Sequence, residues 1–232
     1  MAKDGAPHGT VLIAGQQTGG RGRMGRSFHS PAGLGLYLSV ILRPNCTADA
    51  LMHLTCAVAV AACRAVEQVT GFLPGIKWIN DLVAGKQKLG GILTELSVDP
   101  TTGKVAYAIV GIGINCNHTE QDFPLQLRQI ATSLLSVTGK PVSAARLAGA
   151  MVCRLQEMDQ TLLSEKAAIM ADYSENCITL GQDVVVVRAD QKRYGKALSL
   201  DSNGGLTVQF ADGTTEIVNS GEVSVRGMYG YI

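Results

Sequence analysis

Charged and aromatic residues are scarce in this sequence. Charged residues make up 17% of the 232 residues and aromatic residues 5%, and the formal net charge is only +1. This balance excludes a generally basic nucleic-acid-binding protein, although it leaves room for a local basic patch. Hydrophobic residues make up 46% of the chain, which is enough for a packed core and argues against a disordered chain.

Metal-binding and disulfide patterns are also missing. The six cysteines include no C-x-x-C pair, and the four histidines are scattered along the chain. We therefore expect neither a zinc site nor a disulfide framework. The cysteines are predicted to be free thiols in a reducing compartment.

The sequence also lacks a leader and a long apolar run. No charged and then apolar segment opens the chain, so we expect no signal peptide. The most apolar run, Leu51 to Val66, is interrupted by His53 and Arg64, and it is predicted to be too short to cross a bilayer. Together these observations predict a cytoplasmic protein that is not embedded in a membrane.

Apolar periodicity predicts an α/β domain over the first three quarters of the chain. The predicted strands are Thr10–Gly15, Leu36–Leu42, Ile76–Ile79, Lys88–Leu96 and Lys104–Ile114. The predicted helices are Asp49–Val69, with Thr47 as N-cap and Gly71 as its end, Ser143–Ser164 and Lys166–Ser174. The turn sequence at 99–103 predicts that the last two strands form a hairpin, and 81–87 is predicted to be a tight turn.

The pattern changes after Asn176. Five short β-prone runs follow, separated by turns that contain Asn-Gly-Gly and Asp-Gly. They lie at Asp183–Val187, Gly195–Leu200, Leu206–Phe210, Thr214–Val218 and Glu222–Arg226. We therefore predict two domains, residues 1–176 and a small SH3-like β-barrel over 177–232.

The sharpest motif is GRGRMGR at residues 20–26, preceded by a further glycine. Glycines let the backbone approach an anion closely, and arginines supply planar donors for phosphate or carboxylate. A solvated basic loop or an RNA contact would explain the same residues, but neither further repeats nor interleaved aromatic residues are present. The spacing matches neither a Rossmann nor a P-loop fingerprint. Because the loop from Gly19 to Gly35 is long, a functional role is favoured.

Two further clusters carry weaker signals. KWIND at residues 77–81 is followed by KLGGIL at 88–93, so a lysine could reach a charged ligand, or the lysines could simply face water. GIGIN at 111–115 places alternating glycines in a strand, which indicates that something large packs against the backbone. A tight turn or a strand–helix contact would explain these glycines equally well.

In this order and spacing the three clusters resemble the bacterial biotin protein ligases. The resemblance covers nearly the whole chain and includes the S-P-x-G-x-x-L-Y-x-S stretch from Ser30 to Ser39, the longer stretch KLGGILTEL at 88–96, and the terminal GEVSVR. It implies a class II synthetase-like α/β catalytic domain with a mixed sheet, followed by the small barrel. It further implies that biotin and ATP form biotinyl-5'-AMP, with Mg²⁺, and that biotin then passes to a lysine of a biotin carboxyl carrier protein.

The resemblance also assigns roles to individual residues. Lys88 and Arg23 are implied as the catalytic pair. Residues implied to bind biotin are Gln17, Arg21, Gly22, Arg23 and Lys88. Residues implied to bind ATP or the adenylate are Arg26, Asn115 and Arg226. Asp81 is implied as a carboxylate near the metal and the phosphates.

The sequence departs from the family pattern in three places. Ile79 replaces a proline and Phe28 a tryptophan, and both exchanges keep an apolar residue. Family members carry an earlier strand and helix with a Ser-Thr-Asn segment, so we expect that this chain starts late or is truncated. The DNA-binding domain of bifunctional members is not found in the chain, and repression is not expected. A homodimer, a lipoate or octanoate ligase of the same superfamily, and a non-catalytic biotin- or nucleotide-binding remnant remain open alternatives.

Overall fold

The computed structural model contains two antiparallel sheets and a layer of helices. The structure describes residues 1–188, 191–219, 222–225 and 228. The strands are β1 Thr10–Ala14, β2 Gly35–Leu42, β3 Gly75–Lys77, β4 Asp81–Ala84, β5 Gln87–Val98, β6 Val105–Asn115, β7 Asp183–Arg188, β8 Gln191–Leu200, β9 Leu206–Phe210, β10 Thr215–Val218 and β11 Glu222–Val225. The helices are α1 Leu54–Thr70, α2 Leu134–Thr138, α3 Ala144–Thr161 and α4 Lys166–Asn176.

The first sheet has six strands in the order β1-β2-β6-β5-β4-β3. All its ladders are antiparallel, and the expected mixture of strand directions is confined to isolated parallel bridges, Ile76 with Cys177 and Lys88 with Ala131. The hairpin of β5 and β6 is confirmed. Its turn is closed by the carboxylate of Asp99, which accepts hydrogen bonds from the amides of Thr101 (2.8 Å) and Thr102 (3.3 Å).

The helices cover one face of this sheet. Side chains at alternate positions of β2 and β6 join the hydrophobic core with α1 and α3, and they are Leu36, Leu38, Val40, Leu42, Ala108, Val110, Ile112 and Ile114. The residues between them, such as Ser39, Gly111 and Gly113, point to the opposite face because side chains alternate along a strand. That opposite face carries the cavity described below.

Helix α1 starts later than predicted. Residues Asp49–Leu51 form a 3₁₀ turn, and the α-helix begins at Leu54 after His53, so the prediction of Thr47 as N-cap is wrong. The His53 ring is buried, and its Nε2 atom lies 2.8 Å from the carbonyl oxygen of Leu162. The predicted end at Gly71 is confirmed, with a left-handed φ of 74°.

The apolar segment that contains α1 is longer than predicted, so the prediction that it is too short to cross a bilayer is wrong. The segment Asp49–Thr70 has 22 residues and a mean hydropathy of 1.4, so it is long and apolar enough to cross a membrane by these measures alone. However, 67% of its apolar stretch is buried inside the protein. The core of the fold therefore accounts for its apolar character.

Two elements were not predicted. The segment at 81–87 contains β4 before its turn, because Leu82 and Val83 are fully buried and pair with β5. The short helix α2 starts at Ser133, whose hydroxyl oxygen accepts a hydrogen bond from the Ser136 amide at 3.1 Å, and ends at Gly139. A five-residue helix is too short to show a clear apolar period.

The second sheet has the order β10-β9-β8-β7-β11. Its strands lie within about two residues of the predicted ones, apart from β8, which begins four residues earlier, at Gln191. Within the described residues β10 and β11 are two separate edges, so the sheet fits an SH3-like domain but does not form the closed barrel that was predicted. The division at residues 176 and 177 stays a prediction.

All six cysteines are free thiols, as predicted. Cys56, Cys63, Cys116 and Cys177 are buried, whereas Cys153 on α3 is exposed. Burial raises the pKa of Cys56 and of Cys63 to about 12 and that of Cys116 to about 11.

Candidate active site

A cavity of about 590 Å³ lies on the face of the first sheet opposite α1 and α3. That volume is within the usual range for small-molecule sites. Its floor is formed by β5 and β6, and its wall by the loop between β1 and β2. The described residues that line it include Gln17, Arg21, Gly22, Arg23, Arg26, Phe28, His29, Ser39, Trp78, Asn80, Asp81, Lys88, Gly91, Leu93, Glu95, Gly111, Gly113, Leu127, Ile130 and Val223.

The glycine–arginine loop folds as a narrow hairpin. Arg21 and Ser27 form an antiparallel bridge, and the amide of Gly22 donates a hydrogen bond of 2.7 Å to the carbonyl of Arg26. The tip is a 3₁₀ turn in which Met24 has a left-handed φ of 57°. The hairpin directs its arginines toward the cavity.

Close backbone approach seats this loop on the sheet. A Cβ atom at Gly113 would lie 2.5 Å from the Phe28 ring, and one at Gly20 would lie 2.5 Å from the Phe28 carbonyl oxygen. The large group that the alternating glycines predicted is therefore Phe28 at Gly113. At Gly111 the nearest atom to such a Cβ is 3.7 Å away, so this backbone faces the cavity.

Two loop arginines dock on the floor of the cavity. Arg23 Nη1 donates to Asn80 Oδ1 at 3.1 Å, and Asn80 is tied to Ile92 by two hydrogen bonds of 2.9 Å, one from its side-chain amide and one to its carbonyl. Arg21 Nη2 lies 3.3 Å from Glu95 Oε2, but both side chains are substantially exposed. The Arg21 pair is therefore a weak surface contact, whereas Arg23 has a fixed partner.

Lys88 reaches the cavity from the start of β5. Its Nζ donates to Asp81 Oδ1 at 2.6 Å, in an ion pair that is largely shielded from solvent on the Asp81 side. Its backbone is fixed by hydrogen bonds with Ile130 (2.7 Å) and Thr132 (2.9 Å). Gly91 leaves room for the lysine, because a Cβ there would lie 3.3 Å from Lys88 Cε. The alternative that this lysine simply faces water is not what the structure shows.

Most of the predicted site residues therefore meet in one place. Those that line the cavity are Gln17, Arg21, Gly22, Arg23, Arg26, Asp81 and Lys88. Gln17 Oε1 accepts a hydrogen bond from the Ser30 hydroxyl at 2.8 Å. Asn115 is buried outside this lining and donates to the Thr132 carbonyl at 2.9 Å. Arg226 lies outside the described residues. The roles assigned to all of these residues stay predictions.

Several lining residues were not selected from the sequence. Asn80 and Trp78 stand within the KWIND motif, so that motif was the signal that could have found them. Glu95 lies within KLGGILTEL at residues 88–96, one of the stretches that carry the resemblance, and that stretch was the signal that could have found it. Leu127 and Ile130 belong to a loop without any motif, and only the fold places them at the cavity.

A buried histidine lies behind the cavity wall. His118 is fully buried and stacks on Phe123, with ring centroids 4.7 Å apart and an angle of 10° between the planes. Among the described residues neither of its ring nitrogens has a hydrogen-bond partner. Burial, and to a lesser extent the neighbouring His29, lower the pKa of His118 to about 4. The ring is therefore neutral at pH 7.

Two protein-family models match this chain. Residues 1–115 match the biotin/lipoate A/B protein ligase family, and residues 179–226 match the biotin protein ligase C-terminal domain. The chain is 30% identical to the biotin–[acetyl-CoA-carboxylase] ligase of Mycobacterium tuberculosis, over 93% of this chain and 78% of that protein. The chain belongs to the biotin protein ligase family.

Other members of the family are similar over comparable lengths. The bifunctional ligase/repressor BirA of Bacillus subtilis is 33% identical over 95% of this chain and 67% of its own length. The solved structure of the Aquifex aeolicus biotin protein ligase in complex with biotin and ATP superimposes with a TM-score of 0.80 at 31% identity, covering 95% of this chain and 90% of that one. The biotin protein ligase fold is therefore confirmed for this chain.

Replacing His118 with phenylalanine should reduce the fall in the free energy of unfolding at acid pH. The folded pKa is about 4 and the ordinary value 6.5, so between these values the unfolded chain binds more protons. The free energy of unfolding therefore falls as pH drops from 6.5 to 4, by up to a few kcal/mol at about 1.4 kcal/mol per pKa unit. Urea denaturation at pH 7, 5.5 and 4.5 measures this slope. His8→Gln at an exposed site is the control, and an unchanged slope in His118→Phe would contradict the assignment.

Proposed function

We propose that this protein activates biotin with ATP to form biotinyl-5'-AMP and transfers the biotin to a lysine of a biotin carboxyl carrier protein. The observation that carries the proposal is the convergence of three loop arginines and Lys88 on one cavity. A relative carries the name biotin–[acetyl-CoA-carboxylase] ligase, and a similar ligase binds biotin and ATP in its solved structure. An acetyl-CoA carboxylase subunit is therefore the proposed carrier.

The first step brings two anions together. The biotin carboxylate attacks the α-phosphorus of ATP, a P–O bond forms, and pyrophosphate leaves with the electron pair of the bond that breaks. Lys88 and the arginines offset the repulsion between carboxylate and phosphate and stabilise the charge that develops. Arg23 and Lys88 are already held by Asn80 and Asp81, so little rearrangement is needed to aim them.

The donor set is compatible with a magnesium ion that arrives with ATP. The described residues contain no cluster of three or more His, Cys, Asp or Glu side chains that could hold a metal alone. Magnesium in ATP-dependent enzymes is usually held by one or two carboxylates together with substrate phosphates. Asp81, which lines the cavity beside Lys88, would supply that carboxylate. The ion would neutralise phosphate charge during the attack.

The second step needs the mixed anhydride to survive until the carrier arrives. The amine of the carrier lysine attacks the biotinyl carbonyl carbon, an amide bond forms, the bond to the phosphate oxygen breaks, and AMP leaves. The amine proton passes to solvent. Closure of the loop at residues 20–26 over the adenylate would exclude water from the anhydride. No nucleophilic side chain of the enzyme is required.

The alternatives are less well supported. A lipoate or octanoate ligase shares the family of the first 115 residues, but residues 179–226 match the C-terminal domain of biotin protein ligases. A non-catalytic remnant would not require the ion pair and the docked arginine found in the cavity. Incubation with ATP, labelled biotin or lipoate, and an apo carrier separates the three functions.

Two further expectations belong to the proposal. A cytoplasmic location agrees with free thiols, because disulfides are rare in reducing compartments. A homodimer is supported by the edge strand β1, on which Leu12 and Ile13 are 38% and 57% exposed. Light scattering of the purified protein measures its mass, and a monomer at working concentration would overturn the homodimer.

Replacing Lys88 with alanine should abolish adenylate formation without unfolding the protein. Losing one such electrostatic donor typically lowers the rate by ~10²–10³. Biotin-dependent pyrophosphate release measures the effect. Lys86→Ala, an exposed lysine in the turn before β5, is the matched control and should behave like wild type. A near-normal rate in Lys88→Ala would remove this lysine from the mechanism.

Replacing Arg23 with glycine should let the activated intermediate escape. Ordering the loop costs roughly 1–2 kcal/mol per backbone residue, and each charge-assisted hydrogen bond contributes roughly 1.5–3 kcal/mol. Loss of the Arg23 donor should therefore open the loop more often, while the remaining cations still support activation. Biotin labelling of albumin, an unrelated protein, should rise above the level given by wild type. No rise, with adenylate still being made, would show that Arg23 does not help to retain the intermediate.

A further inference from the structure

The residues just before Asn80 and Asp81 are held by the C-terminal part of the chain. We propose that Thr179 is a positioning residue for the active site, because its hydroxyl fixes the turn that carries Asn80 and Asp81. The proposal rests on the function given above and adds to it a residue outside every motif. Thr179 lies in the connection between α4 and β7, far in sequence from the turn that it contacts.

The contact between Thr179 and the turn is direct and buried. Residues Trp78 and Ile79 connect β3 to β4 and lie outside the ladder between these strands. The Trp78 amide donates to Thr179 Oγ1 at 2.9 Å, and Thr179 is fully buried. The connection runs parallel to β3, since Cys177 bridges Ile76 and the Ile178 amide donates to the Ile76 carbonyl at 2.9 Å. The threonine hydroxyl thus extends the contact between the two segments, two residues beyond the bridge between Ile76 and Cys177.

Other hydrogen bonds fasten the same turn. The Trp78 indole Nε1 donates to the Gly204 carbonyl at 2.8 Å, and the Tyr173 hydroxyl donates to the Ile79 carbonyl at 3.1 Å. Gly204 has a φ of 87°, and a Cβ there would lie 2.7 Å from Cys56 Sγ, so glycine is what allows its carbonyl to reach the indole. The turn is therefore attached to the second sheet and to α4, in addition to its own strands.

The attached turn is followed directly by Asn80 and Asp81, which line the cavity. Asn80 accepts the hydrogen bond from Arg23, and Asp81 pairs with Lys88. A shift of the turn would move both partners together and so misplace two cations of the cavity. Thr179 does not line the cavity and is not a catalytic residue. It acts through Trp78, whose amide would be left buried without its acceptor if the hydroxyl were lost.

Thr179→Val tests the hydroxyl because it keeps the shape of the side chain and removes its acceptor. We expect kcat/KM for adenylate formation to fall roughly 10-fold to 100-fold, as small misplacements of catalytic groups typically do. The loss should appear mainly in kcat, since Gln17, Arg21 and Arg26 remain available for binding. Thr179→Ser keeps the hydroxyl and should restore activity to within about twofold of wild type. Thr207→Val, the same exchange on β9, is the control and should leave the rate unchanged.

The fluorescence of Trp78 provides a measurement that does not depend on enzymatic turnover. It is the single tryptophan of the chain, it is buried, and it lines the cavity. In Thr179→Val the emission maximum of the ligand-free protein should move to longer wavelength and quenching by acrylamide should increase, with neither change in Thr179→Ser. If wild type makes no adenylate, the proposed function fails while the emission experiment still tests the attachment of the turn.

The outcomes are decisive in either direction. Normal kcat and normal emission in folded Thr179→Val would overturn the positioning role. Equal losses in Thr179→Val and Thr179→Ser would also overturn it, since the hydroxyl would then not be the group that matters. If Thr179→Val does not fold, Thr179→Ala removes the same acceptor with less bulk, and the same two measurements apply to it.

Discussion

The mutual repulsion of the cations that line the cavity is the constraint on which the site depends. Arg21, Arg23 and Lys88 face a single space, and each has a polar partner on β4, on β5 or in the turn between β3 and β4. Asn80 and Asp81 hold the charges of Arg23 and Lys88 in place before any anion arrives. Donors that are already aimed need no reorganisation when negative charge develops, which is the property that electrostatic catalysis requires. The glycines around the loop also help to fix the positions of these cations, because they let the loop lie close to the sheet.

Much of the fold could be predicted from the sequence because its signals are local. The β5–β6 hairpin follows from its turn residues, and the end of α1 follows from Gly71. The strand β4 was missed because a four-residue strand next to glycine looks like a turn. The prediction of a closed barrel was wrong, because the pattern of short strands indicates only which neighbouring strands pair. Closure depends on contacts between distant edges, which no local pattern contains.

The candidate site was predictable where residues cluster in motifs and unpredictable where it depends on contacts between distant segments. Lys88 and Arg23 were found through their motifs, and the structure brings them to one cavity. The support that Thr179 gives to Trp78 spans 101 positions of the chain, and a lone threonine has no spacing that could reveal it. Asn115 shows the opposite case, since a motif residue turns out to be buried behind the lining.

Burial also separates the thiols of this protein by their reactivity. The reactive form of cysteine is the thiolate, so the buried cysteines whose pKa is raised to about 11 or 12 resist alkylation at neutral pH. Cys153 is exposed on α3, in the helix layer on the opposite face of the sheet from the cavity. Cys46 is half-buried and burial raises its pKa, so a maleimide reagent should react with Cys153 before it reacts with the other thiols. Cys153 is thus the most accessible natural point for a dye or a surface linker, with the cavity left clear.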